Sequence, residues 1–133
     1  MRQVTYVSTA CGDDSYEVFR DIERQSLRNN VRSGLSGLLL FDGVRYLQIL
    51  EGQSEAIETT LARIHSDNRH LGVVLLADKT VECAQFGGWA MLCRDARLPT
   101  DDLGKALAPY LRDADRNTRA LFESFAAIRA KAA

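Results

Sequence analysis

The sequence shows no excess of charge of either sign and no long hydrophobic run. Its 133 residues include 17 Lys and Arg and 18 Asp and Glu, for a net charge of -1. The net charge therefore does not predict binding to nucleic acid or to an anionic membrane. The apolar runs, such as Leu38–Phe41, are far too short to span a bilayer, and no apolar segment follows Met1–Thr5 as a signal peptide would require. We predict a protein without a nucleic-acid or membrane partner.

Cysteine and histidine are also scarce. Cys11, Cys83 and Cys93 are odd in number and form no CxxC pair, which is typical of reduced thiols in a cytoplasmic protein. His65 and His70 are too few and too poorly spaced to predict a metal site. The sequence contains no GxGxxG, Walker phosphate loop, HExxH or GxSxG motif. Nothing in it therefore predicts a common type of catalytic centre.

The apolar pattern predicts one α+β domain. Strands are expected at 4–8, 38–41, 45–51, within 71–81 and at 85–92, and helices at 15–30, 54–67, 101–112 and 115–130. The order βαββαβ plus one strand resembles a ferredoxin-like sandwich, a five-stranded mixed sheet with two helices on one face. The two C-terminal helices are expected to cover the other face or to form an oligomer interface. We divide the chain into a domain at residues 1–95 and a helical extension at 96–133 within the same compact unit.

Local signals mark the ends of several elements. Asp14 and Ser54 are predicted to cap the first two helices. Gly34–Gly37 is predicted to form a turn, and Asp42-Gly43 is a strong signal for a short hairpin. The intervening strand Leu38–Phe41 is continuously apolar, which predicts burial on both sheet faces.

Polar side chains interrupt three otherwise apolar elements. Gln48 lies inside the apolar segment Tyr46–Gly52, and a buried amide without partners costs about 1–3 kcal/mol. Tyr6 lies in the first strand, and Ser26 and Asn30 are four residues apart on one face of the first helix. We interpret these inward polar groups as the walls of a cavity that binds a polar, flat ligand.

Each of these residues also has an ordinary structural interpretation. Tyr6 could be a core tyrosine with a backbone partner, and Ser26 could bond back to its own helix. Asn30 could cap the end of that helix. Trp89 and Met91, two residues apart on one strand, could simply belong to the core.

The combination resembles the BLUF family of flavin-binding blue-light sensors, over about residues 1–93. The matching segments, in order, are Tyr6-Val7-Ser8, Ser26-Leu27-Arg28-Asn29-Asn30, Gly34-Leu35-Ser36-Gly37-Leu38-Leu39-Leu40, Leu47-Gln48-Ile49-Leu50-Glu51-Gly52, Asp67-Asn68-Arg69-His70 and Phe86-Gly87-Gly88-Trp89-Ala90-Met91. The order and spacing of the six segments make the resemblance specific, which no single segment would.

The resemblance implies that FAD lies between the first two helices, edge-on to the sheet. Tyr6 would donate an electron and a proton to the photoexcited flavin, and Gln48 would bridge Tyr6 and the flavin. Asn30 would bond the carbonyl and imide edge of the ring, with Asn29 close by. Ser26, one turn earlier, would approach the ring or its polar surroundings.

The resemblance also assigns residues to the exit of the second helix and to the last strand. Asp67, Arg69 and His70 would contact the other edge of the flavin or its ribityl-phosphate arm. Trp89 and Met91 would lie near Gln48 and couple its state to the fifth strand.

As a whole, the resemblance implies a non-enzymatic photoreceptor of the short, stand-alone type. Its output would require a downstream partner protein or a change in a homo-oligomer. Leu47 departs from the family, which often has an aromatic residue before the glutamine. Two alternatives are a small flavin-dependent enzyme and a flavin-free ferredoxin-like interaction module in which Gln48 is bonded internally.

Overall fold

Strands and helices follow one another as the apolar pattern predicts. The computed structural model describes residues 1–10, 15–67, 70–93 and 103–132. The elements are β1 Arg2–Ala10, α1 Ser15–Ser33, β2 Ser36–Phe41, β3 Arg45–Gly52, α2 Ser54–Ser66, β4 His70–Thr80, β5 Trp89–Cys93, α3 Leu103–Leu107, a 3₁₀ helix Ala108–Leu111 and α4 Arg116–Ala132. The predicted α+β class is confirmed. Asp14, the predicted cap of the first helix, lies outside the described residues.

The strands form one sheet in the order β4-β1-β3-β2-β5. The pairs β1–β4, β1–β3 and β2–β3 are antiparallel, whereas β5 joins β2 in parallel. The register places Tyr6 opposite Gln48, Gln48 opposite Leu39, and Leu39 opposite Met91. Four adjacent strands thus place these residues in one row across the sheet.

The two faces of the sheet carry different contents, because successive side chains of a strand alternate in direction. One face packs against the C-terminal helices in a cluster that includes Leu38, Leu40, Leu47, Ile49, Leu107, Leu111, Phe122 and Phe125. The other face, which carries Tyr6 and Gln48, packs in two clusters against Ile22 of α1 and Ile57 and Leu61 of α2. Within the described ranges no helix is long and apolar enough to cross a membrane.

The end of α1 is determined by Gly34. Gly34 has φ +72°, and its N–H donates to the Val31 carbonyl at 3.2 Å, while Leu35 N donates to the Asn30 carbonyl at 2.9 Å. This pair of bonds is the Schellman motif, in which a glycine adopts the left-handed conformation after the last helical residue. The turn prediction is confirmed at Gly34, and the cap does not require the Asn30 side chain.

The hairpin between β2 and β3 also forms where the sequence predicts it. Asp42 Oδ1 accepts hydrogen bonds from Val44 N at 2.9 Å and from Arg45 N at 2.7 Å. Gly43 has φ +96°, which a side chain would disfavour. This tight turn places β3, and with it Gln48, directly beside the buried β2.

The predicted cap of α2 is wrong. The N-cap is Gln53, which forms no side-chain capping bond, and Ser54 is the first helical residue. The Ser54 hydroxyl oxygen instead accepts a hydrogen bond from Arg2 Nη1 at 3.2 Å. A distant partner has therefore replaced the local one.

Two C-terminal boundaries differ from the prediction. β5 begins at Trp89 rather than at Gln85, because Gln85 N and Phe86 N bond the Glu51 carboxylate instead of a neighbouring strand. The helix expected at 101–112 is the short α3 followed by a 3₁₀ turn that contains Pro109. Proline lacks the N–H group that a continuing α-helix needs.

α4 begins with a charged cap. Asp115 Oδ1 accepts a hydrogen bond from Thr118 N at 2.9 Å, and the Asp115 carboxylate forms an ion pair with Lys79 of β4. Burial by itself would raise the pKa of Asp115, but the bonds from Lys79 and Thr118 lower it to about 2. The cap therefore ties the start of α4 to the sheet through a carboxylate that stays ionised well into the acid range.

We expect Asp115→Ala to lower the free energy of unfolding by about 1 kcal/mol near neutral pH, as at other helix N-caps. A depressed pKa stabilises the folded state only while the group is ionised. The contribution should be fully present above the ordinary pKa of 3.8 and be lost as the pH falls through about 2. Urea denaturation of both proteins across this window measures the difference. Asp113→Ala, at an exposed carboxylate nearby, is the control, and a loss of equal size there would contradict the prediction.

Candidate functional site

A cavity of about 270 Å³ lies between α1, α2 and the sheet face that carries Tyr6 and Gln48. Its lining residues are Tyr6, Ile22, Gln25, Ser26, Asn29, Asn30, Leu39, Gln48, Thr60, Arg63, Ile64 and Asp67. Ligand pockets typically measure roughly 300–1,000 Å³ and combine apolar walls with a few convergent polar groups. The volume of this cavity is just below that range, and its lining has the expected mixture of apolar and polar groups.

The floor of the cavity is a hydrogen-bonded pair from two neighbouring strands. Tyr6 and Gln48 lie opposite each other in the β1–β3 register, and the Tyr6 hydroxyl donates to Gln48 Oε1. Both residues are buried, with 1% and 3% of their surfaces exposed. Since Oε1 accepts from Tyr6, the Nε2 end of the amide carries the donors that a ligand in the cavity can use.

The Tyr6 phenol is held in its neutral form. Burial raises its pKa far above the ordinary value of a tyrosine, and the nearby Tyr46 and Asp67 raise the pKa further. A buried phenolate would lack the solvation that water provides. Tyr6 can therefore donate a hydrogen bond at any physiological pH, and it can lose its proton only to an acceptor within the site.

α1 contributes an amide and hydroxyl wall. Asn30 is 2% exposed and lines the cavity together with Asn29 and Ser26. Ser26 and Asn30 are four residues apart and so share a helix face with Ile22. The structure thus places all three predicted polar residues of α1 in the lining. The last turn of α1 is held by the Gly34 motif, which fixes the direction of this wall.

α2 supplies the opposite wall. Asp67, predicted from the resemblance, follows the last helical residue and lines the cavity. Thr60, Arg63 and Ile64 line it as well. Thr60 and Arg63 were missed because polar residues on a helix normally indicate a solvated face, and Ile64 was missed because an apolar helical residue normally indicates core packing. Their spacing from Asp67 is the signal that could have identified them, since residues three, four and seven apart share one helix face.

The remaining predicted site residues are Trp89, Met91, His70 and Arg69. Trp89 begins β5, packs against the clusters that contain Tyr6 and Leu39, and lines a different cavity, beside the 3₁₀ helix. Its buried Nε1 has no hydrogen-bond partner among the described residues. Met91 is placed by its backbone register alone, and His70 begins β4. Arg69 lies outside the described residues.

The chemistry of the lining is that of binding and proton transfer. The part of the chain that the structure describes contains no group of three or more His, Cys, Asp or Glu side chains that could hold a metal ion. The lining instead combines the Tyr6 phenol with the amides of Gln48, Asn29 and Asn30. Amides offer both a donor and an acceptor, which suits the edge of a heteroaromatic ring.

Residues 1–92 match the family model described as sensors of blue light using FAD. The chain belongs to the BLUF family. The BLUF match contains every residue that lines the cavity, whereas α3 and α4 lie beyond it.

Other proteins with BLUF-type names or folds are similar to this chain. The blue light- and temperature-regulated antirepressor BluF of Escherichia coli is 30% identical over 97 residues, which are 73% of this chain and 24% of that protein. A solved structure of Klebsiella pneumoniae BlrP1 aligns with TM-score 0.78 at 30% identity, over 95% of this chain and 34% of that one. The same protein solved with FMN and cyclic diGMP aligns with TM-score 0.73 at 27% identity, over 97% of this chain and 34% of that one.

A third relative has a similar length. The dark-state structure of BlrB, a BLUF protein, aligns with TM-score 0.72 at 26% identity and covers 95% of each chain. The chain thus spans about a quarter of the Escherichia coli relative and a third of BlrP1, but nearly all of BlrB. The likeness to BlrB extends past the family match into the C-terminal helices.

Proposed function

We propose that this protein is a blue-light photoreceptor that binds FAD in the cavity between α1 and α2 and signals through a change in the hydrogen bonds of Gln48. The hydrogen bond from Tyr6 to Gln48 carries the proposal. It places a redox-active phenol and a reorientable amide together on the wall of a ligand-sized cavity. Family membership supplies the class of ligand.

The lining fits an isoalloxazine ring. Ile22, Leu39 and Ile64 offer apolar contacts for the ring faces, and the amides of Asn29, Asn30 and Gln48 offer donors and acceptors for its polar edge. Ser26 lines the cavity on the same helix as Asn29 and Asn30, and Asp67 lines the opposite wall. By resemblance to the family, we assign Asp67, Arg69 and His70 to the other edge of the flavin or to its ribityl-phosphate arm. We propose FAD as the native flavin, although FMN occupies one solved structure of BlrP1.

A flavin bound here supplies blue-light absorption and, once excited, a one-electron acceptor. With flavin bound, Tyr6 would be the donor of one electron and of its phenolic proton, and its O–H bond would break. Burial raises the pKa of Tyr6 and disfavours a phenolate, so the proton would not leave Tyr6 before the electron does. Gln48 Oε1 is the group placed to receive the proton first, because the Tyr6 hydroxyl already donates to it. Tyr6 recovers the electron and the proton as the reaction reverses.

The lasting change after this cycle is in the hydrogen bonds of Gln48. Its amide ends differ, one donating and one accepting, so rotation or tautomerisation changes which groups it bonds. A stronger hydrogen bond from Gln48 to a bound flavin would lower its excitation energy slightly and shift its absorption to the red. Trp89 and Met91, on the strand in register with β2, transmit the new arrangement to β5. The protein responds as a two-state element rather than by catalysis.

The light signal is passed on to a partner. We propose that the C-terminal helices pass the signal to a downstream protein or to a second copy in a homo-oligomer, with no enzyme activity in this chain. We also place the protein in the cytoplasm, where the exposed, free Cys83 would stay reduced. Neither nucleic acid nor a membrane is a proposed partner.

The test is an absorption spectrum of the purified protein in the dark, under blue light and during dark recovery. We expect a flavin spectrum with a small red shift that reverses completely in the dark, and FAD on release of the cofactor. Irreversible bleaching or turnover of a reduced nicotinamide would indicate a flavin enzyme instead. A colourless protein that takes up neither FAD nor FMN would indicate a flavin-free interaction module.

A further inference from the structure

A fully buried carboxylate lies on the sheet face opposite the cavity. Glu51 has 0% of its surface exposed and accepts four hydrogen bonds. Oε1 accepts from Ser36 Oγ and Phe86 N, both at 2.8 Å. Oε2 accepts from Gln3 Nε2 at 3.1 Å and from Gln85 N at 3.0 Å. All four partners are donors, an arrangement that two carboxylate oxygens satisfy and a neutral amide cannot.

The bonds of Glu51 continue to the C-terminal helices. Gln85, held by its backbone N–H on Glu51, accepts a hydrogen bond through its side-chain Oε1 from Asp115 N at 3.1 Å. Asp115 in turn caps α4 through Thr118 N. A continuous series of hydrogen bonds therefore runs from β3 through Glu51 and Gln85 to the first turn of α4.

The same carboxylate determines where β5 begins. Glu51 holds the backbone of Gln85 and Phe86 away from strand pairing, and Gly88 O then accepts from Gly37 N at 2.9 Å as β5 joins β2. Glu51 also follows Gln48 by three residues on β3, with its side chain on the opposite face. One short strand segment thus contacts the cavity on one side and the β4–β5 connection on the other.

We propose that Glu51 is a positioning residue that couples the state of Gln48 to the N-terminus of α4. A displacement of β3 at Gln48 moves the Glu51 carboxylate, which carries Gln85 and Phe86 with it and so alters the contact that holds Asp115. The coupling needs both carboxylate oxygens, because each one bonds one of the two consecutive N–H groups. Such a contiguous series of bonds provides a physical route between two sites. The light-driven part of this inference rests on the proposed function.

The experiment is hydrogen exchange of the full chain with bound flavin, in the dark and under blue light, together with the absorption spectrum. In Glu51→Gln an NH₂ group replaces one carboxylate oxygen and faces a backbone N–H, so that two donors meet. The bonds to Gln85 and Phe86 therefore cannot both persist. We expect Thr118 and Arg119 amides to exchange faster in the dark, on the order of tenfold, as an anchoring bond is lost. We expect the red shift to remain while the light-induced change in α4 exchange disappears. Glu55→Gln, an exposed carboxylate on α2, should match wild type in every measurement.

Gln85→Ala tests the next bond and serves if Glu51→Gln does not fold. It keeps the Gln85 backbone N–H on Glu51 but removes the acceptor of Asp115 N. We expect it to retain the red shift and to lose the light response of α4. A merely structural role of Glu51 would lower stability without separating these two readouts.

The outcomes distinguish this inference from the proposed function. An unchanged light response of α4 in both variants, or a red shift abolished in Glu51→Gln, would overturn the positioning role. If the wild type showed the red shift but no light response of α4, the positioning role would also be overturned, and the proposed photoreceptor function would not be affected. If wild type showed no red shift, the photoreceptor would fail, and the dark exchange at Thr118 would still decide whether Glu51 anchors α4.

Discussion

Replacing Tyr6 by phenylalanine should leave the flavin bound and abolish the reversible red shift completely. The substitution retains the ring that packs in the core but removes the hydroxyl that donates to Gln48 Oε1. Without that hydroxyl the site loses both its donor of an electron and a proton and the bond that orients the Gln48 amide. The loss of a buried hydrogen bond should cost about 1–3 kcal/mol, which a typical domain tolerates. Light-minus-dark absorption of the purified variant measures the effect.

The matched control is Tyr46→Phe. Tyr46 is a second buried tyrosine of the same sheet face, two residues before Gln48, but it is not part of the cavity lining and stacks on Phe41. We expect it to keep a red shift of normal size, with at most a changed recovery rate. A red shift that persists in Tyr6→Phe, or one lost equally in both variants, would refute the role assigned to Tyr6.

Gly37→Ala should strongly destabilise the sheet. Gly37 has φ +149°, and a Cβ added there would lie 2.0 Å from the backbone oxygen of Ile49. Neither atom can move without breaking the pairing of β2 with β3, because the obstacle is backbone rather than a flexible side chain. We expect a loss of about 3 kcal/mol or more in the free energy of unfolding, measured by urea denaturation.

Gly87→Ala provides the comparison for Gly37→Ala. A Cβ at Gly87 would meet no atom within 4 Å, and the residue lies in the exposed connection before β5. We expect this variant to stay within about 0.5 kcal/mol of wild type, as for most surface substitutions. Gly87→Ala should bind flavin as the wild type does. Gly37→Ala should bind flavin more weakly or not at all, because its strand also carries Leu39, which lines the cavity. Equal stability of the two variants would show that the close approach at Gly37 is not limiting.

The predicted elements are those whose signals are local. The apolar run of β2 is fully buried, and Asp42-Gly43 forms its turn, since burial and turn geometry depend on adjacent residues. The cap of α2 and the start of β5 were not predicted correctly. Both depend on partners far away in sequence, Arg2 for Ser54 at a separation of 52 residues and Glu51 for Gln85 at a separation of 34.

The same distinction holds for the candidate site. Tyr6, Asn30 and Gln48 were identified because a polar group in an apolar element has few explanations besides a ligand or a satisfied bond. Thr60 and Arg63 were missed because a polar helix face is ordinarily solvated, and only the position of α2 over the sheet turns that face toward the cavity. The four hydrogen bonds to Glu51 were not predicted either, since a glutamate near the end of a buried strand does not indicate which donors its carboxylate bonds.

Local sequence patterns are enough to predict the α+β class, the order of the elements and the inward polar residues, because hydrophobic period and turn chemistry act over a few residues. Which residues meet depends on the folded chain: Tyr6 and Gln48 are 42 residues apart, and the register of β1 with β3 joins their side chains. Tertiary structure also decided the second wall of the cavity and the bonds from Glu51 to the C-terminal helices. Such contacts depend on the packing of whole elements, which no local segment specifies.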